Sequence, residues 1–171
     1  MTKEEFKTYV LPAKGKLFRL AVTLLNSRPE AEDAVQDVYL KLWNMRSKLA
    51  QYTSVEALAV TMTKNLCIDK LRSYRHRNQN ANGLEKVTLS SSDRYDPAQQ
   101  LERNESMLQL HEIINRLPEQ QRMVLHLRDI EHYSYDEIES MTNMTRNNIR
   151  VTLSRARKGV REEYIKTYNH E

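Results

Sequence analysis

The residues best able to do chemistry here lie in the last quarter of the chain, and the chemistry is the reading of a nucleic acid. From Ser134 the sequence runs SYDEIESMTNMTRNNIRVTLSRARKGVREEY. Six basic residues, Arg146, Arg150, Arg155, Arg157, Lys158 and Arg161, fall there with no acid between the first and the last. The segment before them carries Glu131, Asp136, Glu137 and Glu139, so the positive charge is confined to one stretch. If that stretch is a helix, Ile149, Leu153, Ala156 and Val160 recur at i, i+4, i+7 and i+11 and form its apolar face. Asn147, Val151, Ser154, Arg155 and Lys158 are then thrown outward, flanked by Arg146, Asn148, Arg150 and Thr152. Arginine can chelate a guanine edge, asparagine an adenine edge, and valine can touch a thymine methyl. The competing explanation is an ordinary solvated basic helix.

Such a face is useful only if a preceding element aims it. Ser134 and Glu137 have capping-box spacing and open a short helix. Asn143 stands where the chain must turn sharply, and asparagine tolerates the left-handed conformation. Thr145 can cap the basic helix. The expected unit is a helix-turn-helix with the basic helix second. Gly159, which costs about 1 kcal/mol in a helix relative to alanine, suggests that this helix is near its end.

Two further stripes occur in the first half. Ser27, Pro29 and Glu30 signal a capped helix reaching Trp43, with Val35, Val38, Tyr39, Leu42 and Trp43 on its apolar face. Opposite lie Asp33, Gln36, Asp37 and Leu40, acids and an amide beside an exposed leucine, which would suit a protein partner. Ser54 can cap a long helix to about Tyr74. It carries a polar line, Thr61, Asn65, Asp69, Arg72 and His76, with Lys64, Lys70, Arg75 and Arg77 adding charge around its C-terminal end. Such a surface could hold phosphates while amides and hydroxyls address bases. A solvated helix face is the default explanation of both stripes.

Composition frames these elements. Three glycines, four prolines and 7% aromatic residues leave little material for hairpins, so an all-α chain is expected. The expected organisation is two small helical domains, residues 1–77 and 98–171, joined by a flexible linker at 78–97 rich in Asn, Ser, Gly and Asp. Helical periodicity resumes at Leu101, Met107, Leu108, His111, Ile114 and Leu117, and again from Met123 through Leu127. A net charge of +4 says less about partners than its clustering does. No apolar run is long enough to span a bilayer and the N-terminus lacks a signal peptide's apolar core, so no membrane insertion and a cytoplasmic location are expected. Cys67 is expected to be a buried structural thiol. The scattered histidines lack metal-ligand spacing, and neither a phosphate loop nor a nucleophile elbow is present. No metal, cofactor or catalytic residue is expected.

Taken jointly, three segments resemble the sigma-70 family of bacterial RNA polymerase sigma factors, in particular its small extracytoplasmic-function (ECF) class. AEDAVQDVYLKLW resembles the helix that binds the polymerase clamp, and TKNLCIDKLRSYRHR the −10 recognition helix. LPEQQRMVLHLRDIEHYSYDEIESMTNMTRNNIRVTLSRAR resembles the −35-binding domain, including the arginine after LPEQQ and the terminal RAR. The resemblance implies that Asp33, Gln36, Asp37 and Leu40 meet core RNA polymerase at the β′ clamp helices. It implies that Thr61, Lys64, Asn65, Asp69, Arg72 and Arg75 meet the −10 element of promoter DNA. The second domain would sit on the β flap, with its basic helix in the −35 major groove, and an anti-sigma factor would be a further partner. The chain departs from the family pattern at Glu139, usually small, Thr142, usually apolar, Asn143, usually glycine, and Leu58, often aromatic. The alternative reading is a free-standing helix-turn-helix transcriptional regulator, which would have no use for the stripes in the first half.

Overall fold

A computed structural model describes residues 1–80 and 105–169. The expected linker at 78–97 and the onset of periodicity at Leu101 lie largely outside the described residues. The described chain is all-α, without strands, and its contacts divide it into two units, 1–94 and 95–171.

The first unit holds α1 (Lys3–Tyr9), α2 (Lys14–Leu25), α3 (Arg28–Asn44) and α4 (Val55–Asn80), with 3-10 turns at Leu11–Ala13 and Arg46–Gln51. Its core is aliphatic: Leu17, Leu20, Leu24 and Leu25 of α2 meet Val35, Val38 and Leu42 of α3 and Ala59, Val60 and Cys67 of α4, all essentially buried. Burying one such leucine contributes about 1.5–3 kcal/mol. Phe6 brings α1 onto α3 through edge-on contacts with Tyr39 and Trp43. The Tyr39 phenol donates to the carbonyls of Val10 and Leu11 at 3.2 and 3.3 Å, and burial pushes its pKa up to about 12. Lys16 on α2 pairs with Glu56 on α4 at 2.9 Å. Ser54 caps α4 by accepting from the Ala57 N–H, but the helix continues past the expected Tyr74 to Asn80, beyond the expected domain end at residue 77. Nothing breaks it there, since Arg75 to Asn80 contains neither glycine nor proline.

The second unit comprises α5 (Glu105–Arg116), α6 (Glu119–Leu125), a π-helical turn (His126–Ile130), α7 (Tyr135–Thr142) and α8 (Arg146–Tyr168). Ile113, Val124, Leu127, Ile138, Met141, Ile149, Leu153 and Ala156 form its core. Helix α8 does not end near Gly159, as expected, but runs on to Tyr168. The glycine has a packing reason instead: a Cβ there would lie 3.3 Å from Leu117 Cδ2, so its absence lets the α5–α6 turn approach α8.

Candidate nucleic-acid interface

The helix-turn-helix is set by local chemistry. Ser134 accepts from the Glu137 N–H and the Glu137 carboxylate accepts from the Ser134 N–H at 2.7 Å, a complete capping box for α7. Asn143 ends α7 at φ 57°, in the left-handed region, and its N–H bonds the Glu139 carbonyl. Thr145 then caps α8 by accepting from the Asn148 N–H at 3.2 Å. Thr142, where the family prefers an apolar residue, is absorbed without penalty: its hydroxyl donates to the Ile138 carbonyl and accepts from the Met144 N–H. Glu139, where a small residue is usual, accepts from Arg146 Nε at 3.1 Å.

On α8, Ile149, Leu153 and Ala156 are buried and Val160 is half-buried. Asn147, Asn148, Arg150, Val151, Ser154, Arg155 and Lys158 are exposed, and Val151 presents an uncommon exposed apolar surface between polar neighbours. Thr152 is a correction. At 6% exposure it is turned inward and leaves the readable face. Its spacing of three from Ile149 and four to Ala156 already places it on the apolar side.

The basic residues of α8 divide into held and unheld. Arg146 is gripped by Asp136 and Glu139. Arg157 is chelated by Asp129 of the π turn, Nε to Oδ2 at 2.9 Å and Nη2 to Oδ1 at 2.6 Å. That bond, and the Asp129 charge, raise the guanidinium's pKa further. Arg150 lies 5.4 Å from the Tyr135 ring centre, and Lys158 is 3.8 Å from Glu162 on its own helix. Arg155 has no ion pair among the described residues. Sequence reasoning missed Arg128, which donates to the Tyr133 carbonyl and lies 4.5 Å over Tyr135, beside Arg150. It falls outside the basic helix, and only the folded turn brings it to the same ring. The arginine after LPEQQ, Arg122, faces inward and donates to the Asn115 carbonyl at 2.9 Å.

Helix α4 keeps Asn65, Asp69, Arg72, Arg75 and His76 exposed on one side. Thr61 is half-buried, its hydroxyl spent on the Ala57 carbonyl at 2.8 Å. Lys64 is a second correction: it is 9% exposed, and burial lowers its pKa, so it does not stand among the surface charges of the helix. It follows Val60 by four and precedes Cys67 by three, the inward periodicity. The Cys67 thiol is fully buried and burial pushes its pKa up to about 12, which leaves it protonated and inert at neutral pH.

On α3, Asp33, Gln36 and Asp37 are exposed and Leu40 is 61% exposed. Beside them, between α1, α2 and α3, opens a groove of about 830 Å³ lined by Phe6, Leu11, Phe18, Tyr39, Leu40 and Trp43. Asp33, Gln36, Asp37 and Leu40 succeed one another at three, one and three, so one partner surface can meet all four.

Comparison with known proteins identifies the family. Residues 4–77 match the model for sigma-70 region 2 and residues 107–159 that for sigma-70 region 4. The chain belongs to the sigma-70 family of RNA polymerase sigma factors, in its ECF class. It is 27% identical over 164 residues to the RNA polymerase sigma-H factor of Pseudomonas aeruginosa, covering 92% of this chain and 85% of the relative. It is 25% identical over 168 residues to a Xanthomonas campestris pv. campestris protein called "Probable RNA polymerase sigma factor RfaY", covering 98% of this chain but only 42% of that longer relative. The fold is shared with the sigma factor RpoE of Bartonella quintana, solved with the anti-sigma factor NepR, at a TM-score of 0.77 and 23% identity, over 94% of this chain and 96% of that one.

Proposed function

We propose that this chain is a promoter-specificity subunit that joins core RNA polymerase and directs where transcription starts, with no catalysis of its own. The observation that carries this is the outward face of α8: Asn147, Val151, Ser154 and Arg155 stand exposed on a helix whose entry is fixed by three successive caps. In this reading α8 enters the −35 major groove. Arg155 and Asn147 address base edges, Val151 a thymine methyl, and Arg150 and Lys158 meet phosphates. The exposed line Asn65, Asp69, Arg72 and Arg75 on α4 meets the −10 element, and Asp33, Gln36, Asp37 and Leu40 on α3 meet the β′ clamp helices. The second unit sits on the β flap, and an anti-sigma factor clasps the same faces when transcription is held off. The cytoplasm is where such a subunit acts. No described helix is long and apolar enough to cross a membrane.

The test is binding by the chain alone and on the polymerase. Each unit offers DNA one short helix, so the free chain should bind promoters weakly, almost without sequence preference and with strong salt dependence. Added to core polymerase, it should bind specifically. Tight specific binding by the free chain as a dimer on paired half-sites would instead assign it to the free-standing regulators.

A further inference from the structure

Helix α3 opens with half a cap. Ser27 accepts from the Glu30 N–H at 3.4 Å. At the starts of α1 and α7 the equivalent glutamates, Glu5 and Glu137, return the bond to Thr2 and Ser134 at 2.7 Å. Glu30 returns none to Ser27 among the described residues. Its carboxylate reaches across to α4 instead, with Oε2 3.3 Å from Lys70 Nζ; burial, and then the nearby Glu30 carboxylate, raise the pKa of the Tyr74 phenol one turn further on. The paired side chains of Lys70 and Glu30 are 22% and 29% exposed, partly withdrawn from water.

Lys70 and Tyr74 continue the inward stripe of α4, which runs Val60, Thr63, Cys67, Lys70 and Tyr74 at spacings of three and four. After Cys67 no described residue of α4 is buried. The fully buried core of this helix therefore ends at Cys67; beyond it Ile68, Leu71 and Tyr74 are half-buried and Lys70 pairs with Glu30. The ion pair adds a directional tie at this end of the helix, linking its azimuth to α3. One residue of slip along a helix turns its face by about 100° and shifts it by about 1.5 Å. The side opposite Lys70 and Tyr74 carries Asn65, Asp69, Arg72 and His76. On α3 the stripe Asp33, Gln36, Asp37 and Leu40 begins within one turn of Glu30.

We propose that Glu30 is a positioning residue: by gripping Lys70 it holds the DNA-facing side of α4 in register with the polymerase-facing stripe of α3. Docking on the polymerase thereby fixes where α4 meets the promoter. The inference rests on the roles proposed above for these two helices.

The experiment uses holoenzyme reconstituted with the full chain, comparing wild type, Glu30→Gln, Glu30→Lys, Lys70→Glu and the exchanged pair Glu30→Lys/Lys70→Glu. Affinity for core polymerase is measured beside promoter opening, read as permanganate reactivity of unpaired thymines. Glu30→Gln and Glu30→Lys should keep core affinity within about twofold while opening falls about tenfold, and the exchanged pair should recover most of it, as expected for two neighbours in one ion-pair network. Equal opening by wild type and both Glu30 variants overturns the inference and leaves the assigned roles standing. So does a parallel loss of core affinity, melting temperature and opening that the exchange does not restore, since that marks a stabilising contact only. If wild-type holoenzyme opens no promoter, the roles assigned to α3 and α4 fail and the inference falls with them.

Discussion

Arg155 and Arg157 sit two residues apart on α8, and replacing each with alanine should have opposite kinds of effect. Arg155 is exposed and has no ion pair among the described residues, so its donors are available to a base edge. A bidentate arginine–guanine pair is worth about 1–3 kcal/mol, so Arg155→Ala should weaken holoenzyme binding to its preferred promoter about 5- to 150-fold. The loss should be confined to one −35 position, with the substituted base at that position losing its disadvantage. Arg157 is already forked onto Asp129, with contacts of 2.6 and 2.9 Å. The two side chains are 47% and 34% exposed, so solvent screening holds the pair to about 1 kcal/mol, the upper end for exposed ion pairs. Arg157→Ala should therefore lower the melting temperature of the second unit by about 4–8 °C while leaving the promoter ranking intact. Fluorescence anisotropy of holoenzyme on a panel of −35 variants, beside thermal melts of the full chain, separates the two. A uniform loss across the panel from Arg155→Ala would refute base readout by that residue. A changed ranking from Arg157→Ala with no shift in melting would refute its assignment to Asp129.

Reversing charge at Asp33 and Asp37 should abolish co-elution with core polymerase on gel filtration while far-UV helicity is kept, because both side chains are exposed. Lys158→Ala should weaken all promoters about equally and reduce the salt slope by about one unit, since its only described partner is the exposed Glu162 on the next turn. Asn143→Gly should leave the melting temperature unchanged or higher, and Asn143→Ala should destabilise by about 1 kcal/mol, because φ is 57° there: glycine has no Cβ to resist that conformation, and alanine lacks the short polar side chain by which asparagine tolerates it. Burial lowers the His111 pKa below its ordinary 6.5, so the unfolded chain binds this proton more readily than the folded one. The corresponding stability is present above pH 6.5 and lost as pH falls through the lowered value, and His111→Gln should flatten melting temperature against pH in that range.

What the sequence disclosed and what it withheld follow from the range of the interactions involved. Caps and periodicity act within a few residues, which is why Ser54, Ser134, Asn143 and Thr145 could be assigned their tasks from spacing alone, as could the inward placement of Ile149, Leu153 and Ala156. Thr152 and Lys64 were misplaced by their chemistry: a hydroxyl and an ammonium suggested surface, although their positions at three and four from buried residues put them inside. The remaining differences come from contacts between distant segments. Asp129 and Arg157 are 28 residues apart and Glu30 and Lys70 are 40 apart, so nothing local reveals that these charges are committed to each other. Gly159 is the same case, since helix propensity suggested an end where the fold needed room for Leu117.

The most direct measurement is run-off transcription from a genomic fragment library with purified core polymerase, in the presence and absence of the chain. The account predicts chain-dependent transcripts whose start sites share a −10 and a −35 element at fixed spacing, lost together when Asp33 and Asp37 are reversed. Transcription that is unaffected by adding the chain, or chain-dependent starts with no shared elements, would contradict it.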